Sequence, residues 1–550
     1  MTLSQPKITF KSALETKSEI EKKIMQLFAM SEQLASKRQE INEKFTNLTE
    51  DFLTEDRPTT TIEFNSLLEK FSDVNIPVEP TNFESYLDYL ANNVIAHSVH
   101  TGSPKFIGHM TSALPYFVQP LAKLMMAMNQ NVVKIETSKA LSPYERQALA
   151  MIHRLIYNFS DRFYAQHIQN SQSTLGILVS GGTAANITAL WCARNTSLGP
   201  KDDFPGIESE GLVAALNYYG YKEAVVIGSD LMHYSFDKAA DLLGIGARGL
   251  IKVKTNSNNR IDIPALQQTV ADCQAQNKHI IAIVGVAGTT DSGGVDSLTE
   301  IAAIAREANV HFHVDAAWGG ALIFSQQYQH KLAGIEQADS VTIDGHKQLY
   351  LPMNLGMLFL RNPQMAKVIE KNATYTIRKG SFDLGKRALE GSRSGMALFL
   401  HAGLNLIGIK GYEFLIDEGI RKTQYLANRI HELPEFELLA EPEINLLIYR
   451  YIPENLRARA AQKQLTEIDN QRINQFNEIL QKKQRQAGRT FISRTTKTNL
   501  ERAIPIVALR AVIANPLTTE KDIDEVLNDQ IQIALEIANS TSLESADNVA

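Results

Sequence analysis

The sequence predicts an α/β protein: a large domain on a mostly parallel sheet, followed by a smaller α+β domain. Three observations predict it. Between about residues 115 and 360, apolar runs of strand length alternate with helical patterns. Those runs are near-continuous rather than alternating, as expected of strands covered on both faces. Beyond about 380 the repetition stops, and long helices with a few separated strands take over. At 550 residues the chain is too long for one hydrophobic core. We divide it into an N-terminal helical segment (1–114), a large α/β domain (115–378) and a small C-terminal domain (379–550).

The stretch 11–50 is polar and charge-rich, with Ile20, Ile24, Leu27 and Phe28 recurring at about one helical turn. It reads as a helical arm packed on a partner subunit; the apolar repeat fades after Leu34, too early for a coiled coil. Residues 56–62 read as a loop and 83–98 as helix. Glycines and a proline make 101–110 a chain bending around a site. The strand runs follow at 175–179, 224–228, 250–253, 280–286, 310–314, 340–343 and 356–360. In the last part, helices are predicted near 396–408 and 411–432, and strands at 445–449, 490–493 and 506–513. Residues 453–488 are rich in Gln, Arg and Lys and read as one or two solvated helices inserted between strands. They lack the aromatics a nucleic-acid surface would use for stacking. The tail, 538–550, is expected to fray.

Composition narrows the function. A formal net charge of −6 argues against a general nucleic-acid partner. Two cysteines, Cys192 and Cys273, cannot build a disulfide framework or a four-cysteine metal site. No apolar run approaches the ~18 residues of a membrane span, and the first residues lack the apolar core of a signal peptide. A cytoplasmic protein with no membrane partner is expected.

Ligands of such sheets sit beyond the strand ends, so residues just after strands carry the most information. The central case is Asp344-Gly345-His346-Lys347, a polar turn closing the 340–343 run. A lysine there is unusual; desolvated beside an anion site, it becomes a nucleophilic amine suited to a Schiff base with pyridoxal phosphate (PLP). An ordinary strand-end lysine would look the same in isolation. Ser180-Gly181-Gly182-Thr183 follows another strand and opens a helix, where free N–H groups and the helix dipole favour a phosphate. His233 follows a third strand and could stack on a flat ring, although a satisfied core histidine is the commoner case. Gly288-Thr289-Thr290 follows a fourth, with small hydroxyl residues that leave room for a ring; a plain loop explains it equally well. Asp315 ends a fifth and, buried, needs a cationic partner; a pyridinium nitrogen is one. Ala316 and Ala317 are small enough for a ring to lie against. His311, His313 and Asp315 share a strand face, as metal ligands would, but no further His/Cys cluster is near, so no metal is expected.

Together, Ser180-Gly181-Gly182-Thr183-Ala184-Ala185-Asn186, His233, His313-Val314-Asp315-Ala316-Ala317-Trp318 and Asp344-Gly345-His346-Lys347 resemble the group II PLP-dependent amino acid decarboxylases. Leu509-Arg510-Ala511-Val512-Ile513-Ala514-Asn515-Pro516 resembles their C-terminal signature. The segment Phe106-Ile107-Gly108-His109 and Leu389-Glu390-Gly391-Ser392-Arg393 are most similar to the aspartate 1-decarboxylase and glutamate decarboxylase-like subgroup. The resemblance implies the fold-type-I, aspartate aminotransferase-like architecture of PLP enzymes, and a homodimer with active sites at the subunit interface. It implies that Lys347 binds the cofactor covalently, Asp315 pairs with the pyridinium, and His233 stacks on the ring and helps in proton transfer. Gly182, Thr183, His346 and Asp344 would lie by the phosphate, Ala317 against the ring and Thr290 on its oxygen side. Arg393 would take a substrate carboxylate, with donors from the Lys105–His109 loop for a second one. The implied substrate is an acidic L-amino acid, aspartate giving β-alanine ahead of glutamate giving 4-aminobutyrate; the alternatives are the family's other substrates, cysteine sulfinate, diaminobutyrate or an aromatic amino acid. An inactive scaffold of the same fold is the rival reading, and retention of both Lys347 and Asp315 argues against it. Many relatives carry a long mobile loop with a catalytic tyrosine; here the matching stretch is short and Tyr375 stands near its start.

Overall fold

The computed structural model describes residues 20–28, 30, 32–373, 380–498 and 504–547. A seven-stranded sheet forms its centre: β1 (Gly176–Val179), β2 (Ala224–Ser229), β3 (Leu250–Val253), β4 (His279–Val286), β5 (His311–Asp315), β6 (Ser340–Asp344) and β7 (Gly356–Leu360). The spatial order is β1-β7-β6-β5-β4-β2-β3. Every residue of β2, β4, β6 and β7 is buried, which accounts for their unbroken apolar sequences. Helices cover both faces. One side packs Leu298, Ile301 and Phe324 against the sheet; the other packs Leu190, Phe236 and Ala239.

Strand direction decides where the site lies. The pairs β3–β2, β2–β4, β4–β5 and β5–β6 are parallel. β7 is antiparallel to both β6 and β1, so β1 again runs with β6. The C-terminal ends of β1, β2, β4, β5 and β6 therefore share one edge of the sheet. The start of β7 meets them there. A Cβ on Gly356 would lie 2.4 Å from the backbone of Gly181, so only glycine lets β7 pass behind the turn after β1.

The second sheet comprises β8 (Phe436–Leu438), β9 (Leu446–Tyr451), β10 (Ser493–Thr498) and β11 (Pro505–Val512), all antiparallel, in the order β10-β11-β9-β8. Two expectations need correction here. The strand expected at 490–493 lies instead at Ser493–Thr498. It is an edge strand of polar residues, Ser-Arg-Thr-Thr-Lys-Thr, with no apolar run to mark it. The 453–488 stretch is not simply solvated. Its helices, Glu454–Ala461 and Glu467–Ala487, turn one face inward. Ile473 and Leu480 are fully buried, and Asn477 bonds both the N–H (2.8 Å) and the C=O (2.9 Å) of Tyr451 on β9. Thr466 and Asp469 cap the longer helix reciprocally.

No residue of the helix Ala35–Thr54 is fully buried, although Phe45 and Phe52 contact Phe83 and His100. The loop after helix Phe83–Asn93 is stitched to the small sheet. Ile107 N–H donates to Phe491 O (3.1 Å), and Val512 N–H donates to Ile107 O (2.7 Å). A Cβ on Gly108 would meet Ser493 N at 2.4 Å, so the loop crosses the sheet at contact distance. No described helix is long and apolar enough to cross a membrane.

Candidate active site

A cavity of about 580 Å³ opens at the shared strand edge, between the two sheets. Most site residues expected from the sequence line it; Arg393, Lys105 and Ala316 do not. Gly182 and Thr183 come from the turn after β1, His233 from that after β2, and Thr290 from that after β4. Asp315 and Ala317 come from the end of β5, Asp344, His346 and Lys347 from that of β6, and His109 from the N-terminal loop.

At one end stands the N-terminus of helix Gly182–Ser197, whose cap residue, Gly181, offers no side chain to the helix N–H groups. A Cβ on Gly182 would fall 2.8 Å from Asp344 Oδ2, so the turn needs glycine to sit this close to β6. Ser180 N–H and Oγ both donate to Glu390 Oε1, at 3.1 and 2.7 Å, which pins the turn from behind. His346 Nδ1 meets Leu355 O at 3.1 Å, which leaves Nε2 facing Asp344. Lys347 Nζ is 3.1 Å from Asp344 Oδ2. Asp344 thus stands beside the Gly182 turn and is at the same time the counter-ion of the lysine.

At the other end Asp315 is held by two donors: Ala317 N–H to Oδ1 (3.1 Å) and Asn186 Nδ2 to Oδ2 (2.9 Å). His233 Nδ1 accepts from Ser235 N–H (3.3 Å), so the neutral ring carries its proton on Nε2. Burial pushes His233 below the ordinary histidine value, against the pull of Asp315. His109 is also pushed down, first by burial and then by Arg510, Lys347 and His346, and its Nδ1 lies 3.1 Å from Thr111 Oγ1.

The arginine in the cavity is Arg510, not Arg393. Arg393 makes a two-point pair with Glu145, at 2.6 and 2.5 Å, and both side chains are buried away from the cavity. Its fork is taken by Glu145; Nε has no hydrogen-bond partner among the described residues, but it is buried and the residue does not line the cavity. Lys105 is likewise committed, to Asp56 and Glu525. Arg510 projects from β11 into the cavity. Its Nε donates to Thr290 O (2.6 Å) and its Nη1 to Gly108 O (3.3 Å) and Ser493 Oγ (3.2 Å). Its Nη2 is buried with no hydrogen-bond partner among the described residues. Burial lowers it to about 10 despite the pull of Asp291. The signal for it was present: a lone cation inside the apolar run Ile506-Val507-Ala508-Leu509-Arg510-Ala511-Val512. Tyr375 lies outside the described residues.

A strand-end lysine, a glycine-lined helix start and a buried aspartate thus face one chamber. The profile of the pyridoxal-dependent decarboxylase conserved domain matches residues 67–452. The chain belongs to this decarboxylase family. An aspartate 1-decarboxylase of Aliivibrio fischeri is 48% identical over 491 residues, 88% of this chain and 89% of that one. An L-2,4-diaminobutyrate decarboxylase of Acinetobacter baumannii is 26% identical, over 75% of this chain and 78% of its own. The crystal structure of mouse CSAD superposes with a TM-score of 0.79 at 24% identity, covering 91% of this chain and 99% of that one, and shows the shared fold. The decarboxylase has the fold-type-I architecture, with PLP as its cofactor. Its cavity suits that group: uncapped helix N–H groups for a phosphate, an oriented carboxylate for a ring nitrogen, and an amine near both.

Proposed function

We propose that this decarboxylase converts L-aspartate to β-alanine and carbon dioxide, and that it does so as a homodimer. Family membership alone does not choose the substrate, since relatives act on acidic and on diamino acids. The observation that carries the choice is the buried guanidinium of Arg510, which lines the cavity, has no described carboxylate paired to it and leaves Nη2 without a partner among the described residues. A buried cation of this kind is satisfied by an anion that arrives with the substrate. The departing α-carboxylate is a poor candidate, because it loses its charge as it becomes carbon dioxide, and an ion pair there would stabilise the ground state. The carboxylate that stays, on the side chain, is the better partner. The preference for aspartate over glutamate follows the 48% identical relative; one methylene changes binding by only about 1–3 kcal/mol.

In this reading Lys347 is the covalent attachment point for the cofactor and Asp344 its counter-ion. The helix start at Gly182 and Thr183, with His346, receives the phosphate. Asp315 faces the ring nitrogen, and His233 and Ala317 bracket the ring. When bound, PLP supplies the sink for the electron pair released as carbon dioxide leaves. His233, carrying its proton on Nε2 toward the cavity, is placed to return a proton to the substrate carbon. His109, pushed toward its neutral form by burial and then by the cations around it, can donate to a carboxylate without adding charge.

The test compares kcat/KM for aspartate, glutamate, diaminobutyrate and tyrosine in the parent and in Arg510→Lys and Arg510→Gln. The acidic substrates should lead in the parent. Arg510→Gln should cost them about a hundredfold or more, the scale for removing one partner of a buried charge pair, while PLP still binds. A tyrosine preference, or an unchanged rate for aspartate, removes the proposal.

A further inference from the structure

Behind Asp315 runs a line of polar side chains that takes no part in the chemistry above. Asn186 is 1% exposed, and His313 and Ser340 are fully buried. Polar groups at that depth are tolerated when they satisfy one another. Asn186 Nδ2 donates to Asp315 Oδ2 (2.9 Å) and to Ser235 Oγ (3.0 Å). His313 Nε2 lies 3.0 Å from Asn186 Oδ1, and its Nδ1 lies 2.8 Å from Ser340 Oγ. His311 Nε2 lies 2.8 Å from the same Ser340 Oγ, and its Nδ1 is 3.9 Å from Asp339 Oδ2 at the surface.

The polarity of this line is fixed from one end. The carboxylate of Asp315 accepts, so the amide of Asn186 turns its NH₂ toward it and its oxygen toward His313. That oxygen needs a donor, which puts the proton of His313 on Nε2. Burial drives His313 down to about 3, so its Nδ1 is a bare acceptor and takes the hydroxyl proton of Ser340. Ser340 Oγ then accepts from His311 Nε2. From His311 through Ser340, His313 and Asn186, each link donates toward Asp315, and the second N–H of Asn186 goes to Ser235. An amide in the middle cannot pass a proton on, so the line orients and does not conduct.

We propose that Asn186, His313, Ser340 and His311 form a buried positioning chain that holds the Asp315 carboxylate in the plane and direction required by the ring nitrogen of the cofactor. This rests on the reading of Asp315 as the ring partner. The metal alternative for the 311–315 strand face is replaced by it, since His311 and His313 both turn to Ser340. These are positioning residues; none of the four needs to touch substrate.

The experiment uses full-length protein stripped of PLP and titrated with it. The cofactor dissociation constant, the absorption spectrum of the bound cofactor, Tm, and kcat and KM for the preferred substrate are measured separately. The variants are Asn186→Leu, His313→Phe, His313→Gln and Asp315→Asn. Asn186→Leu should weaken PLP binding and lower kcat by about ten- to a hundredfold each, the scale of one hydrogen bond to a charged group, with KM within about threefold. His313→Phe should move the same quantities the same way, while His313→Gln, which keeps a donor, should recover most of the loss. In an Asp315→Asn background neither change should have further effect on PLP binding. If Asp315→Asn itself leaves PLP binding and kcat alone, the reading of Asp315 fails. If Asp315→Asn is crippled but Asn186→Leu and His313→Phe match the parent, the chain alone is refuted. A fall in Tm with KM and kcat worsened together and no recovery in His313→Gln marks packing only, and also refutes it.

Discussion

Lys347 and Asp344 set the character of the site at the level of single residues. The lysine sits where β6 ends, with a carboxylate 3.1 Å away that is itself 3% exposed. Its placement was readable from sequence, because a lysine after an unbroken apolar strand has few structural uses. The same logic located Asp315, His233 and Thr290. It does not reach Arg510, which lies within a strand and not after one. Arg393 lies in a motif, and nothing in the sequence reveals Glu145 across from it. For Lys347→Ala we expect a folded protein that binds PLP without a covalent link. Turnover should fall by about three orders of magnitude or more. Borohydride treatment followed by mass analysis should attach the cofactor to the Lys347 peptide in the parent and leave the variant unmodified. Near-parental turnover, or a modified variant, contradicts this.

Among the elements, the strands of the large sheet were legible to within a residue or so, because each is buried on both faces and its sequence has no reason to alternate. β8 and β10 were not. β8 has three residues, and β10 carries polar residues along an edge. β7 is the element whose contribution to the site is least visible in sequence. It carries no candidate residue, yet its first residue backs the phosphate turn. Gly356→Ala should push Gly181 forward, since the added methyl would sit 2.4 Å from that backbone. Overpacking of this kind costs about 1–3 kcal/mol. Thermal unfolding should show that loss, and PLP titration should show weaker binding. Gly391→Ala, where a Cβ meets nothing within 4 Å, is the control and should do neither. Equal behaviour of the two variants would mean the close approach is unimportant.

For the whole molecule, the buried histidines set the response to acid. Burial holds His153 and His279 at about 4 and His313 at about 3, below their ordinary value of 6.5. Below pH 6.5 the unfolded chain binds protons at these sites that the folded chain refuses. Stability is therefore fully present above pH 6.5 and is lost as pH falls toward 4, with a limiting slope of about 1.4 kcal/mol per pH unit for each imidazole. Asp296, raised by burial to about 6, acts in the opposite sense as a single group. Tm measured from pH 7 to pH 4.5 should fall; a flat or rising curve would contradict the balance. Arg510 has a consequence at this scale too. One side chain ties β11 to Thr290 and to Gly108, residues 220 and 402 positions away along the chain. The group that would recognise the substrate is thus also a clasp between distant segments. Laboratory selection for a new substrate would meet a double penalty at position 510, losing assembly together with the old preference. Evolvable specificity is pushed outward, to neighbours such as His109 that touch the cavity without clasping its walls.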